Sequence, residues 1–478
     1  MRYKSDRIHG NAGSEKSGRR KMRHERGTMR KKGMNALLGA GLGVILTLTS
    51  LPLSGAGLTA HASEAVGTGA LDESTTGTSD AGTDPAADTT VLTDADLNAL
   101  CSDATYTRGS VHDPSVVDAG NGTYYVFGSH MGVAKTTDFM NWSRVSGEND
   151  TDSTLFGRQN ADGSVSAVSF NQAFRKSAYT GTVKTDIDGT AKDMTFGSYD
   201  ASAWNTALGN YTVSGNMWAP DVVYNKTMNK WCMYLSLNGQ NWNSVIILLT
   251  ADSIEGPYVY QGPVVYSGFS ETTAALSYKN TDLQLVYGDL DALPAKYDKA
   301  DSKQWGEYWP HAIDPCVFYD ENGNLCMSYG SWSGGIYELQ LDETTGLRDY
   351  TVKYQSDFSG SKTINSDAYF GTKIAGGYYV SGEGSYIQHI GDYYYLFMSY
   401  GFYSPEGGYN MRIFRSKNPD GLFTDTQGND ARYTSFSLNY NADWGTIKNY
   451  EGERLMTNYQ WDTMSKAVCS QGHNSALT

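Results

Sequence analysis

From Ser115 onward the chain alternates short runs of β-branched and aromatic residues with turn-forming residues, and no stretch sustains the 3.6-residue period of an amphipathic helix. The runs come in pairs. Ser115-Val116-Val117 is followed by an Asn121-Gly122 turn and Tyr124-Tyr125-Val126-Phe127. Asp221-Val222-Val223-Tyr224 precedes Trp231-Cys232-Met233-Tyr234-Leu235. Cys316-Val317-Phe318, a turn at Asn322-Gly323 and Leu325-Cys326-Met327 make a third pair, and Tyr386-Ile387, Gly391-Asp392 and Tyr393 to Tyr400 a fourth. Asn-Gly and Gly-Asp between such runs predict antiparallel hairpins. A third strand is predicted after each, such as Val245 to Leu249 and Met411 to Phe414.

Each pair opens on a carboxylate: Asp113, Asp221, Asp314 and Glu383. The serine ending the second run follows 16, 15, 14 and 16 residues later. A fifth start, Gly472-His473-Asn474-Ser475, lies 90 residues beyond Glu383, with five residues after His473. Repeated small antiparallel sheets at long, irregular intervals predict an all-β fold, a five-bladed β-propeller whose fifth blade is incomplete. A β-sandwich or two stacked barrels is the competing architecture.

In a propeller the first strand of every blade lines the central channel, so the residues opening those strands converge. Asp113, Asp221, Asp314, Glu383 and His473 are therefore expected around one pit, although 360 positions separate the first from the last. Crowded carboxylates repel one another and lose solvation, so at least one should hold a proton near neutrality. A protonated and an ionised acid together are what glycosidic hydrolysis requires. Individually, each acid has a structural reading: Asp113 and Asp314 precede proline, a turn signal, and Asp221 is expected to hydrogen-bond a loop rather than to catalyse.

Composition refines this picture. The 478 residues include 53 glycines and 60 aromatics, too many for a disordered chain. Residues 1–33 carry 12 basic and 3 acidic side chains; the rest carry 25 and 49, a net charge of −24 that repels phosphate backbones and excludes nucleic acid as a partner. Met34 to Ala62 has no charged residue and ends in Ala60-His61-Ala62. Residues 1–62 thus read as a signal peptide cleaved near Ser63, or as an uncleaved membrane anchor. Residues 63–100 read as a disordered acidic linker, and 101–478 as the propeller, cut short at its C-terminus. The five cysteines, 101, 232, 316, 326 and 469, show no metal spacing, and most are expected to be buried hydrophobes.

Trp204, Trp218, Trp242, Trp305, Trp309 and Trp332 fall in loops or at strand ends, where rings stack on sugars or pack between blades; Trp218, beside a strand start, is the best sugar contact. Nucleophile-elbow, phosphate-loop and His-Glu-x-x-His signatures are missing from the sequence.

The combined motifs resemble glycoside hydrolase family 43: His112-Asp113-Pro114-Ser115, Trp218-Ala219-Pro220-Asp221, Ala312-Ile313-Asp314-Pro315, Gly330-Ser331-Trp332-Ser333-Gly334-Gly335-Ile336 and Ser381-Gly382-Glu383-Gly384. Gly407-Gly408-Tyr409-Asn410-Met411 and Gly472-His473-Asn474-Ser475 narrow the resemblance to secreted bacterial endo-1,5-α-L-arabinanases. It implies inversion at the anomeric carbon, with Asp113 as general base, Glu383 as general acid, and Asp314 orienting substrate and keeping Glu383 protonated. The base and acid carboxyls of inverting enzymes stand ~6.5–9.5 Å apart. It further implies substrate contacts from His112, Trp218 and Ser331, and a metal ion, usually calcium, at His473, held largely through water. Two features depart from the family: His311 replaces the expected asparagine, and the arabinanases of this type continue well beyond the His-Asn-Ser motif.

The expected function is endo-hydrolysis of α-1,5-arabinan by an exported monomer acting on polysaccharide (arabinan or arabinoxylan), with membrane contact only through an uncleaved leader. An exo-acting α-L-arabinofuranosidase or β-xylosidase, and a non-catalytic sugar-binding propeller, are the alternatives. The Ser146–Asn216 insertion is where an exo-enzyme's blocking wall would come from.

Overall fold

The computed structural model describes residues 107–477 except 148–153, 241, 299–307, 333, 357–364, 378–381, 402, 404–407, 433–451 and 461–464. The leader, the linker, Cys101, Trp305 and Ser333 lie outside the described residues.

The first sheet is a meander of β1 (Ser115–Asp118), β2 (Tyr124–Phe127), β3 (Val133–Thr136) and β4 (Ser143–Ser146). The insertion follows, as β5 (Phe156–Gln159), β6 (Val165–Ala167) and a separate hairpin of β7 (Thr182–Ile187) and β8 (Thr190–Thr195). The second blade is β9 (Met217–Asn225), β10 (Lys230–Leu237), β11 (Ser244–Ala251) and β12 (Tyr258–Ser267). Strand β5 adds to β12 in parallel, so the insertion widens this blade to six strands. Strands β13 (Cys316–Tyr319), β14 (Leu325–Ser331), β15 (Gly335–Leu341), β16 (Ser366–Asp367) and β17 (Gly371–Ala375) form the third sheet. The fourth contains β18 (Glu383–Ile390), β19 (Tyr393–Tyr400), β20 (Asn410–Ser416) and β21 (Glu453–Met456). The hairpins predicted from the turn residues are all present, in antiparallel register.

Every residue of β11 is buried, as in a sheet covered on both faces by neighbouring blades. Cys232, Cys316 and Cys326 are buried free thiols in these strands. Trp204 and Trp309, at 1% and 0% exposure, are core side chains whose indole N–H groups bond the Ser267 and Lys296 carbonyls, so for these two packing is the reading that holds.

Fivefold repetition is visible in the backbone. Asp113, Ala219, Asp314, Gly384 and His473 all take left-handed φ, between 42° and 57°. Two belts of hydrogen bonds tie these positions around the axis. In the upper belt, the N–H groups of Ala219, Asp314 and His473 donate to the hydroxyls of Ser129, Ser236 and Ser399, the serines ending the second strand of the preceding blade. In the lower, Val222 N donates to Ser115 Oγ, Val317 N to Asp221 Oδ2, Ile387 N to Cys316 Sγ and Val116 N to Ser475 Oγ. The last bond joins positions 359 residues apart and closes the ring. Residues 473–475 therefore occupy the innermost position of a fifth blade, although no strand is assigned there. Four sheets plus this segment make up the described ring.

Candidate active site

The left-handed positions decide which side chains reach the channel. Counting from them, the residue of the second blade that matches Asp113 and Asp314 is Ala219, not Asp221. Asp221 lies two residues deeper, 7% exposed, with Ser115 Oγ donating to one oxygen at 2.7 Å and Val317 N to the other at 2.6 Å. The expectation that it faces the pit is thereby corrected: it clamps three blades together. Burial pushes its carboxyl up, against the pull of those donors. In the fourth blade the matching residue is Gly384, where an added Cβ would stand 2.8 Å from the His473 ring. Glycine lets the two segments touch, and Glu383 projects from the preceding position.

Asp113, Asp314, Glu383 and His473 form one electrostatic cluster. Asp113 Oδ1 lies 3.0 Å from His473 Nδ1 and 3.4 Å from His112 Nε2, and Ser129 Oγ donates to Oδ2 at 2.6 Å. Burial would raise the Asp113 carboxyl, but His473, then His112 and the Ser129 hydroxyl, outweigh it and hold the group well below the usual carboxylate range. Burial alone would lower His473; the Asp113 carboxylate, with Asp314 and Glu383 beyond it, pushes it up to about 9. The two shifts favour an ionised carboxylate beside a charged imidazole in a partly buried pair.

The other two acids move oppositely. Asp314, 7% exposed, is pushed up to about 6 by burial and then by Asp113, partly offset by His473 and the Gly384 N–H. Glu383 rises to about 7, through burial first and the Asp314 charge second. Tyr409 Oη donates to Glu383 Oε1 at 2.9 Å and Ser331 Oγ to Oε2 at 3.3 Å. The site thus sets one acid well below and another well above the usual carboxylate range, from blades one and four.

Among the proposed substrate contacts, the His112 side chain is 68% exposed, Trp218 is half-buried, and Ser331 is buried beneath Glu383. Ser129, Ser399 and Tyr409 were not singled out as functional by sequence. Tyr409 stood inside the Gly-Gly-Tyr-Asn motif, whereas the serines showed only as the regular strand endings of the repeat.

No family model matches the chain. It is 30% identical over 380 residues to the extracellular endo-α-(1→5)-L-arabinanase of Thermotoga petrophila, covering 78% of this chain and 62% of that protein. The crystal structure of the T. petrophila endo-1,5-α-L-arabinanase matches the fold with a TM-score of 0.54 at 27% identity, over 78% of this chain and 65% of that one. This is an arabinanase-like propeller. The family 43 glycoside hydrolase YxiA of Bacillus licheniformis matches it too, with a TM-score of 0.51 at 30% identity, over 78% of this chain and 65% of that one. The chain therefore spans under two thirds of the length of these relatives.

The arabinanase-like propeller offers a cation little. Among the described residues no group of three or more His, Cys, Asp or Glu side chains is arranged to hold a metal. His473 Nδ1 faces Asp113, which leaves one imidazole nitrogen, whereas calcium takes six to eight oxygens. The side chains present do not by themselves fit calcium, and no chemistry below runs through it.

Proposed function

We propose that this chain hydrolyses α-1,5-L-arabinofuranosidic bonds within arabinan, with inversion. The observation that carries the reading is the meeting of Asp113, Asp314 and Glu383 around one axis of an arabinanase-like propeller, with Asp113 paired to His473 at 3.0 Å and Glu383 capped by Tyr409 at 2.9 Å. Asp113, held ionised, accepts a proton from water as that water attacks the anomeric carbon. Glu383 delivers its proton to the departing oxygen, which takes the electron pair of the breaking bond. Asp314 keeps Glu383 protonated through its charge and accepts the Gly384 N–H at 3.4 Å, which anchors the acid's backbone. His473 and Ser129 fix the plane of the Asp113 carboxylate.

A neutral polysaccharide suits the acidic body, and a polymer of that size is met outside the cell. Export of the chain by its N-terminal segment belongs to this proposal, supported by the extracellular naming of its T. petrophila relative. The decisive experiment is product analysis on linear arabinan, with proton NMR following the first-formed anomer. Mixed oligomers carrying β-configured reducing ends are expected. Arabinose as the sole product would replace the endo reading by an exo one, and α-configured ends would remove inversion.

A further inference from the structure

A directed run of polar groups leads from the ring-closing segment to the general acid. It begins on the backbone N–H of His473, which donates to Ser399 Oγ at 2.7 Å. Tyr409 Oη donates to Glu383 Oε1 at 2.9 Å, and the Ser399 hydroxyl is the neighbouring polar group that faces the phenolic oxygen. Resting on the function proposed above, we propose that Tyr409 is a positioning residue for the general acid, oriented by Ser399 and His473 N, and that it places the transferable proton of Glu383 on Oε2.

The direction follows from the donors. A backbone N–H can only donate, so Ser399 must accept it, and the one proton of Ser399 is left for Tyr409. Tyr409 then holds a single proton, and the atom awaiting it is Glu383 Oε1. The reverse sense would leave the Ser399 proton without an acceptor at a fully buried site. Tyr409, 5% exposed and raised well above its ordinary pKa by burial and by Glu383, stays a neutral donor. Both oxygens accept a hydroxyl, but Tyr409 holds Oε1 at 2.9 Å whereas Ser331 reaches Oε2 at only 3.3 Å, so protonated Glu383 keeps its hydrogen on the more weakly bonded Oε2.

Close packing holds these groups in place. Gly472 lies so near that an added Cβ would stand 2.4 Å from the Tyr409 ring and 2.5 Å from Ser399 Oγ. Only a residue without a side chain lets the closing segment sit against both partners. In the reaction the Oε2–H bond breaks, its proton bonds the departing oxygen, and Glu383 is left ionised. The Tyr409 hydroxyl then faces a charged acceptor, so its hydrogen bond strengthens as the transition state forms.

Tyr409→Phe tests this with two substrates: linear arabinan, whose leaving group needs a proton, and an α-L-arabinofuranosyl oligosaccharide bearing dinitrophenolate, which needs none. General acids contribute roughly 100- to 10,000-fold, so a mispositioned one is expected to lower kcat on arabinan about 10- to 100-fold with KM within about twofold. On the dinitrophenyl substrate the loss should stay within about threefold. Ser399→Ala should give the same selective loss, and supplies the test if Tyr409→Phe does not fold. Equal losses on both substrates, or none on arabinan, overturn the positioning role. Glu383→Gln serves as reference: inactive on arabinan, active on the aryl substrate. A wild-type chain that cleaves no arabinan overturns the functional reading itself, and the relay with it.

Discussion

Replacing Glu338 by glutamine should make the protein more stable in alkali while leaving it little changed in acid. Glu338 sits in β15 opposite Ser328 and Thr372, only 4% exposed. Burial, then the Asp420 charge, push its carboxyl up to about 8 from 4.5, with the Cys326 thiol pulling the other way and Asp320 adding a smaller push. The folded protein therefore keeps a proton that the unfolded chain releases above pH 4.5. Its stabilising effect is fully present below that pH and is lost as pH rises towards 8. At about 1.4 kcal/mol per pH unit across roughly 3.5 units, the loss reaches an upper bound of about 5 kcal/mol, and above pH 8 it levels off. Glutamine has nearly the same shape and does not ionise. The assay is urea unfolding of both proteins at pH 5, 7 and 9, comparing midpoints at matched m-values. The variant's advantage should grow from pH 5 to pH 9, and taking the difference cancels every other titrating group. Midpoints that run parallel across that range would refute a protonated Glu338.

Two further outcomes follow from the ring. Asp314→Asn removes the charge that helps keep Glu383 protonated, so the alkaline limb of the pH profile for arabinan hydrolysis should move to lower pH; an unmoved limb would deny Asp314 that role. Asp221→Ala leaves the Val317 N–H and the Ser115 hydroxyl without their acceptor in a buried joint, at about 1–3 kcal/mol for each orphaned group, and thermal unfolding should report it.

The strands and hairpins were legible because Asn-Gly turns and β-branched runs act locally, and the three acids because a repeat places equivalent residues together. What the repeat could not supply was its own register at the axis. The channel position is marked by left-handed backbone, which Asp113, Ala219 and His473 share without sharing any side-chain chemistry. Aligning on carboxylates therefore put Asp221 in the pit and shifted the fourth blade by one residue. Burial between blades was equally hidden. Glu338, flanked by Tyr337 and Leu339, has the charge of an outward position on an alternating strand, yet it is buried. Trp204 and Trp309 pack in the core, the alternative that residue type alone could not separate from a sugar platform. Tyr409 belongs to a short motif whose residue types say nothing of which carboxylate oxygen it meets.

The bond between Val116 and Ser475, with the salt bridge from His473 to Asp113 beside it, also bears on timing. During synthesis Asp113, Asp314 and Glu383 are all made before residue 473 leaves the ribosome, yet Asp113 has no final partner until then. The nascent chain therefore lacks the assembled cluster, and cutting the closing segment away from the folded molecule would remove the partner of Asp113 again.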